Sequence, residues 1–189
     1  MILEGIVTSV NATGEVNVAP MGPLVDPDMR TLHLRPYKTS RTYQNLRVRP
    51  RGVFHVTDDV LTLARAAIGQ LNPLPEMFAA ERVEGWVLAE TCRWYEFEVE
   101  TLDDSQERTS IQARVVHCGK RRDFFGFNRA KHAVLEAAIL ATRAHLLSRE
   151  EIWEQFERLR IPVKKTAGPA EHEAFELLAA YVERMKGEG

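Results

Sequence analysis

The stretch VNVAPMGPLVDPDMRTLHLRPYKTSRTYQNLRVRPRGVFHVT, residues 16–57, is the most informative part of this sequence. From Met29 to Thr57 it contains 29 residues without one acidic side chain, although the chain of 189 residues has a formal net charge of -2. The cations of this basic segment are Arg30, Arg35, Lys38, Arg41, Arg47, Arg49 and Arg51. The hydroxyl side chains among them are Thr39, Ser40 and Thr42. Positive charge combined with hydroxyl donors predicts that the segment binds a phosphate group.

The pattern of apolar and polar residues around this stretch predicts antiparallel strands followed by helices. Strands are expected at residues 2–11, 16–19, 31–35, 52–57, 85–101 and 109–117. Asn11 to Gly14 supplies the first hairpin turn. Pro20, Pro23 and Pro27 cannot donate to a sheet, so residues 21–28 are expected to be irregular.

The two long strands, 85–101 and 109–117, are expected to form a hairpin with Asp103 to Glu107 as its turn. Pairing residues whose numbers sum to about 210 makes the apolar faces and the charged faces agree. The resulting pairs are Phe97–Ala113, Val99–Ile111 and Glu96–Arg114. The same register places Cys92 opposite Cys118, either as a redox pair or as two small core thiols that stay reduced.

The last third of the chain changes character and predicts a helical subdomain. Helices are expected at residues 40–46, 58–68, 130–147, from 148 to a break at Pro162, and 170–185. Ser148 and Glu151 have the spacing of a capping box. The alanines between Ala130 and Ala141 form a small-residue surface that another element can approach closely.

Several chemistries are not expected, because their motifs do not occur in the sequence. It contains no HExxH pair, GxSxG elbow, Walker-type loop or GxGxxG fingerprint, so no metal site and no classical nucleophile is predicted. Glu96, Glu98 and Glu100 alternate along one strand and are interpreted as a solvated face. No apolar run reaches the roughly 18 residues of a membrane span and no leader is recognised, so a cytoplasmic protein without membrane contact is expected.

Two parts of the opening stretch suit a flavin nucleotide. The dianionic phosphate of FMN needs cations, hydroxyl or amide donors, and the N-terminus of a helix. The residues available for it are Arg35, Lys38, Thr39, Ser40, Arg41 and Thr42. The isoalloxazine ring needs backbone groups that no sheet partner uses, and the prolines are expected to leave Val18 to Gly22 free for it. Each part alone also fits a simpler interpretation, a strand end or a solvated basic surface.

Four motifs together resemble a known family. ILEGIVTSVNATGEVNVAPMGPL, RPYKTSRTYQNL and VFHVTDDV are similar to the flavin-binding split-barrel superfamily of flavin reductases and pyridoxamine-phosphate oxidases. Within that superfamily the chain resembles the archaeal and planctomycete branch known as domain-of-unknown-function family 447. DFFGFNRAKHAVLEAAILATR matches that branch as well, so the resemblance covers most of the chain.

The resemblance implies an α+β fold of two parts. Residues 1–126 would form an antiparallel six-stranded split β-barrel of the FMN-binding type, and residues 127–189 a C-terminal helical subdomain packed on the barrel. A homodimer would hold FMN at its interface, with the phosphate at residues 35–42. The backbone expected to meet the ring is that of Asn17, Val18, Ala19, Pro20, Met21 and Gly22. His55 stands where the branch usually has asparagine.

These observations predict an FMN-binding dimeric flavoprotein with oxidoreductase chemistry on an unknown small-molecule substrate. The resemblance adds a link to pterin-dependent one-carbon metabolism. The alternative is a non-catalytic flavin carrier, or a module that holds phosphate or RNA with residues 30–51. The global charge and the lack of interleaved aromatic residues beyond Tyr37 and Tyr43 count against nucleic acid.

A basic cluster at residues 128–132 has two interpretations. Arg129 or His132 would reach the flavin pocket of a partner subunit, or Asn128 would cap the long helix while the basic side chains form ion pairs. A cation in the first helical turn opposes the helix dipole, so an anionic group is expected near this cluster, which also contains Lys131.

Overall fold

A computed structural model of the protein describes residues 1–187, which fold into two compact units. The first unit consists of residues 1–57 and 75–124, and the second consists of residues 58–74 and the chain from residue 125 onward. The fold therefore groups residues 58–74 with the C-terminal helices, whereas the sequence motifs predict one boundary after residue 126. That boundary stays a prediction.

The first unit is an antiparallel sheet with a short helix. Its strands are β1 (Gly5–Val10), β2 (Val16–Met21), β3 (Leu24–Val25), β4 (Thr31–Leu34), β5 (Arg51–Val56), β6 (Met77–Ala79), β7 (Trp86–Leu88), β8 (Arg93–Asp103) and β9 (Ser110–Lys120), and its helix is α1 (Arg41–Val48). One sheet has the strand order β2-β1-β5-β8-β9-β4-β3, while β6 and β7 pair separately. The α+β class is confirmed, but the large sheet has seven strands rather than the predicted six.

The additional strand, β3, lies in the segment that was expected to be irregular. Leu24 and Val25 pair with β4, and Ile2 forms an isolated bridge with Leu24. The N–H of Leu3 donates to the carbonyl of Pro23 (3.1 Å). The prolines therefore limit β3 to two residues without preventing it, and the pairing with residue 2 joins the end of the sheet to the segment before β1.

The predicted register of the β8–β9 hairpin is wrong by two to three residues. Phe97 pairs with Val115 rather than Ala113, and the register shifts at Glu96/Phe97 and between Val99 and Thr101. A displacement of two residues keeps every side chain on its predicted face, which is why face patterning alone did not exclude it. Cys118 consequently pairs with Tyr95 instead of Cys92, and the two cysteines do not form a disulfide.

The interior of the first unit is apolar and includes part of α1. Its fully buried side chains include Val7, Leu32, Leu34, Phe54, Phe97 and Ile111. Tyr43 and Leu46 of α1 belong to the same cluster. Burying side chains of this size stabilises the fold by about 1.5–3 kcal/mol each. The helix is therefore held against the sheet by the core itself.

The β6–β7 hairpin covers part of the outer face of the sheet. Val83 and Val87 pack there against Val53 and Trp94. Glu96 lies on the same face as Trp94 and is completely buried, whereas Glu98 and Glu100 are exposed. The prediction that all three glutamates are solvated is therefore wrong for Glu96, because strand alternation does not show that the preceding hairpin folds over one end of the strand.

His55 is fully buried in β5 and links three strands. Its Nδ1–H donates to the carbonyl of Ile6 in β1 (3.1 Å), and its Nε2 accepts from the N–H of Leu88 in β7 (3.1 Å). Burial lowers the pKa of His55 from 6.5 to about 4, so the ring is neutral at physiological pH. The side chain therefore holds β1, β5 and β7 together.

The buried His55 makes stability depend on pH. His55 takes up a proton near pH 6.5 in the unfolded chain but only near pH 4 in the folded chain. The stability that the buried neutral ring contributes is therefore complete above pH 6.5 and is lost as the pH falls toward 4. The free energy of unfolding is expected to drop by about 2 kcal/mol between pH 7.5 and pH 5, as measured by urea unfolding. His55→Asn should remove this dependence, and an unchanged pH profile in that variant would contradict the assignment.

The second unit is helical. Its helices are α2 (Val60–Ala67), α3 (Arg129–Thr142), α4 (Arg149–Thr166) and α5 (Pro169–Gly187), with a 3-10 turn at Ala144–Leu146. The alanine surface of α3 is buried as predicted, and α3 packs against α2, α4 and α5. Ser148 and Glu151 form the predicted capping box at the start of α4. Within residues 1–187, no helix is both long enough and apolar enough to cross a membrane.

The predicted break at Pro162 is wrong, because α4 continues through this residue to Thr166. A proline inside a helix removes one backbone hydrogen bond. Phe156 before it and Val163 after it are both buried, so packing of the helix outweighs that loss. The Thr166 hydroxyl donates to the carbonyl of Pro162 (2.9 Å).

Candidate functional site

The N-terminus of α1 has the features that the phosphate prediction requires. Ser40 is its N-cap, with the side-chain oxygen accepting from the N–H of Tyr43 (3.2 Å). The first turn of α1 contains no acidic residue. Arg41 and Thr39 are exposed, and Ser40 is half-buried. The helix dipole therefore adds to the local cations without a neighbouring carboxylate in the same turn.

The structure brings the two predicted halves of the site together. The Asn17 side chain in β2 donates from Nδ2 to the Thr42 hydroxyl in α1 (3.2 Å). Thr42 is almost fully buried. Because the two residues are 25 positions apart, this contact follows only from the fold. It places the start of β2 beside the first turn of the helix.

Arg35 directly follows β4, is half-buried, and contributes a cation to the same segment. Its Nε atom is buried and has no hydrogen-bond partner among residues 1–187. A buried donor without an acceptor costs free energy, so the Nε atom is a candidate donor to an anionic group. Lys38 is half-buried. The backbone N–H and the side chain of Ser105 lower the pKa of Asp103, and the nearby charge of Lys38 lowers it by a smaller amount.

The predicted free backbone at Val18 to Gly22 needs a correction. Residues 16–21 pair with β1 along one side, and Pro20 lies opposite Ile6. The other side of β2 is an edge of the sheet. The bond from Asn11 N–H to Glu15 O (3.0 Å) sets the alternation of the ladder. By that alternation Asn17, Ala19 and Met21 bond to β1.

The outward-facing backbone is therefore limited to two residues of the predicted ring segment. Val18 directs its N–H and C=O outward, and Pro20 directs its C=O outward while its missing N–H costs nothing. Gly22, just beyond the strand, lies against the Glu4 side chain, since a Cβ there would be 2.7 Å from the carboxylate. Three of the six residues predicted to meet the ring, Asn17, Ala19 and Met21, therefore use their backbone groups to bond to β1.

Two contacts that the sequence did not reveal fix the position of α1. Tyr43 donates from its hydroxyl to the Asp104 carboxylate in the β8–β9 loop (2.6 Å), and this bond raises the pKa of Tyr43. Asn45 donates to the Ser9 hydroxyl of β1 (3.0 Å), and both side chains are buried. Partners 61 and 36 residues apart leave no local signal in the sequence.

Part of the basic segment is neutralised by acidic residues from elsewhere in the first unit. Arg30 pairs with Asp28 (3.6 Å), and both Arg49 and Arg51 approach Glu84 (3.8 and 3.5 Å). Arg41 has no ion pair within the described part of the chain. The cations of the segment without an ion pair among residues 1–187 are therefore Arg35, Lys38 and Arg41 near the start of α1, and Arg47 in its last turn.

The basic cluster at residues 128–132 lies in the second unit and includes a structural cap. Asn128 accepts from the N–H groups of Ala130 and Lys131 (2.8 and 3.1 Å), as its capping interpretation predicts. Lys131 pairs with Glu171 (2.9 Å), which is the anionic group expected near this helix start. Burial acts to raise the pKa of Glu171, but the Lys131 ammonium and the Gly168 N–H lower it by a larger amount, so the net shift is downward. Arg129 and His132 are exposed.

The chain is similar to proteins of known structure, one of which was solved with FMN bound. An FMN-bound protein of this family from Methanosarcina mazei is 26% identical, covers 95% of this chain and 94% of its own, and superimposes with a TM-score of 0.79. Nitrilotriacetate monooxygenase component B from Bacillus cereus is 17% identical over 64% of this chain and 70% of its own, with a TM-score of 0.53. Flavoredoxin from Methanosarcina acetivorans is 12% identical over 64% and 69%, with a TM-score of 0.54. The last two support the fold alone.

Family models account for nearly all of the chain. No curated protein matches it. The model described as "Protein of unknown function (DUF447) N-terminal domain" matches residues 3–122, and the one described as "Protein of unknown function (DUF447)" matches residues 128–180. The resemblance found in the motifs is thereby confirmed, and the chain belongs to the DUF447 family.

Proposed function

We propose that this chain is an FMN-binding flavoprotein, with the phosphate at the N-terminus of α1 and the isoalloxazine ring along the outer edge of β2. The observation that carries the proposal is the hydrogen bond from Asn17 to Thr42, because it joins the strand and the helix predicted for the two ends of the cofactor. The FMN-bound relative from Methanosarcina mazei supports the same cofactor here.

The phosphate end would be held by backbone and side-chain donors together. Arg41 and Thr42 are the first two residues of α1, so their N–H groups have no acceptor inside the helix. Arg35 would donate from its buried Nε to a phosphate oxygen, which satisfies an atom without a partner in the described residues. Lys38 and Arg41 would add positive charge on the solvent side. A dianionic group is thus matched by cations and amides.

The ring end would use the sheet edge. Val18 offers an N–H and a C=O, and Pro20 offers a C=O, which suits the donors and acceptors on the pyrimidine edge of the ring. When bound, FMN supplies hydride or single-electron transfer, and the residues of this chain orient it and set the surrounding charge. We extend the proposal to oxidoreductase chemistry, with pterins as the first substrate class to assay.

We also propose that two copies associate with FMN at their interface. The outer edge of β2 has no strand partner among the described residues. Phe125 and Phe127 are 91% and 109% exposed in the single chain. Exposed apolar side chains of this size are typical of protein–protein contacts. Sedimentation equilibrium of the FMN-loaded protein should give twice 21.5 kDa, and a stable 21.5 kDa species would contradict the dimer.

The cofactor is tested by the absorbance of the purified protein. Bands near about 370 and 450 nm are expected, and denaturation should release FMN rather than FAD or riboflavin. Chromatography of the released flavin identifies it. A colourless protein that cannot be reconstituted with FMN would refute the proposal, independently of the oligomeric state.

The alternative of an RNA-binding module receives less support from the structure. Three cations of the basic segment, Arg30, Arg49 and Arg51, already have acidic partners, so the segment is not a continuous positive surface. A non-catalytic flavin carrier differs from an oxidoreductase in its turnover. Consumption of NADH or NADPH with an electron acceptor, dependent on bound FMN, would favour the enzyme.

A further inference from the structure

A cleft in the first unit lies outside the proposed flavin site. It has a volume of about 410 Å³, within the range of small-molecule sites, and lies between the tip of the β1–β2 hairpin and the β6–β7 hairpin. We call it the Trp86 cleft, and the residues that matter for its chemistry are Val10, Arg49, Val83, Glu84 and Trp86. Arg49 is the C-cap of α1, at the opposite end of the helix from Ser40.

Hydrogen bonds hold the walls of the Trp86 cleft in place. Trp86 pairs with Ala79 across the β6–β7 hairpin, and the Thr8 hydroxyl of β1 donates to the carbonyl of Trp86. The N–H of Ala80 donates to the carbonyl of Gly85 (2.9 Å). The buried Glu96 carboxylate fixes the loop between Ala80 and Gly85 by accepting a hydrogen bond from the N–H of Val83 (3.1 Å). These bonds fix the walls of the cleft relative to one another.

The charges in the cleft favour an anion. Arg49 and Arg51 both approach the same Glu84 oxygen, at 3.8 and 3.5 Å, so two cations share one carboxylate. These separations exceed the 2.7–2.9 Å of a close charge-assisted bond, and a guanidinium has five N–H donors. Arg49 makes one further bond, to the carbonyl of Ala12 (3.3 Å). Donor capacity and a net positive charge therefore remain beside the cleft.

The apolar part of the cleft favours a flat molecule. Trp86 is 39% exposed and lines the cleft together with Val10 and Val83. An indole surface next to a guanidinium binds planar rings by stacking and apolar contact. We propose that the Trp86 cleft binds a small planar aromatic carboxylate, with its ring on Trp86 and its carboxylate on Arg49. This site goes beyond the flavin site and shares none of its predicted residues.

The test is a titration of the FMN-loaded protein with 2-naphthoate. The chain contains three tryptophans, so the indole N–H signal of Trp86 can be assigned in a ¹⁵N-labelled sample with a Trp86→Phe variant. We expect 2-naphthoate to shift the Trp86 signal and to leave flavin fluorescence unchanged. An immobile Trp86 signal, or a shift that appears only as FMN is displaced, would overturn the proposal.

Substitutions then separate the carboxylate contact from general apolar binding. Arg49→Gln should weaken 2-naphthoate binding about tenfold, because it removes a charge-assisted contact. Arg47→Gln removes an exposed cation of the same helix outside the cleft and should leave binding unchanged. The neutral analogue 2-naphthamide should bind at least about tenfold more weakly. Equal binding of acid and amide, or of the Arg49→Gln and Arg47→Gln variants, would overturn the proposed ligand class.

Discussion

Replacing Arg35 with methionine is expected to weaken FMN binding by about 2–3 kcal/mol, roughly 30- to 150-fold in affinity. The Arg35 Nε atom is buried, so a bond from it to the phosphate would be charge-assisted and shielded from water. Arg41 is exposed, and Arg41→Met is expected to cost less than about 1 kcal/mol. Isothermal titration of each apo protein with FMN measures both values.

The same substitution should act in the opposite direction on the protein without FMN. Arg35→Met removes a buried donor that has no acceptor within residues 1–187, so urea unfolding of the apo form should show unchanged or increased stability. Arg47→Met, at an exposed position in the last turn of α1, is the matched control and should alter neither quantity. Equal FMN affinities of Arg35→Met and Arg47→Met would place the phosphate elsewhere.

The elements of this fold could be predicted where the signal is local. Ser40 marks the start of α1 because a cap acts within three residues, and Ser148 with Glu151 marks the start of α4 for the same reason. The alternation of Phe97 and Val99 identifies the inner face of β8. These features depend on neighbours in the chain, so a single sequence contains them.

The pairing of elements depends on residues far apart and was predicted less well. The β8–β9 register is displaced by three residues already next to the turn, where Asp103 pairs with Ser110, and by two residues between the irregularities at Glu96/Phe97 and Val99/Thr101. The displacement starts at the turn, whose true length the sequence pattern does not show. Two-residue β3 is too short to show a periodic pattern, and it exists because Ile2 and β4 supply partners on both sides. Tertiary packing likewise carries α4 through Pro162.

The candidate site shows the same division. The donors for a phosphate could be predicted as a group, since Arg35 to Thr42 are contiguous. The contact between Thr42 and Asn17 could not be predicted, although this contact brings the two segments of the candidate site together. Pro20 correctly predicted backbone groups without a sheet partner, but it did not show that they lie on one side of β2 only. It weakens only the outer side of β2, because its missing N–H points away from β1.

Replacing Glu96 with glutamine is expected to lower the free energy of unfolding by about 3–5 kcal/mol. The carboxylate is completely buried and accepts from the N–H groups of Glu81, Arg82 and Val83 (2.8, 2.6 and 3.1 Å) and from the Trp94 indole (3.1 Å). Glutamine keeps one acceptor oxygen and turns an NH₂ group toward two of these donors. Urea unfolding at pH 7 measures the loss.

Glu98→Gln is the matched control, because Glu98 is exposed on the same strand and its ion pair with Arg114 is 3.4 Å long. This substitution should lower the free energy of unfolding by less than about 1 kcal/mol.

The contribution of the Glu96 carboxylate to stability should also depend on pH. Burial acts to raise the pKa of Glu96, but the N–H donors lower it by a larger amount, so the folded pKa lies below the unfolded value. The stabilisation is therefore complete above the unfolded pKa and is lost as the pH falls through the folded one. Glu96→Gln should flatten the acid limb of the stability profile, and a loss no greater than that of Glu98→Gln would mean that the loop at residues 81–83 does not depend on this charge.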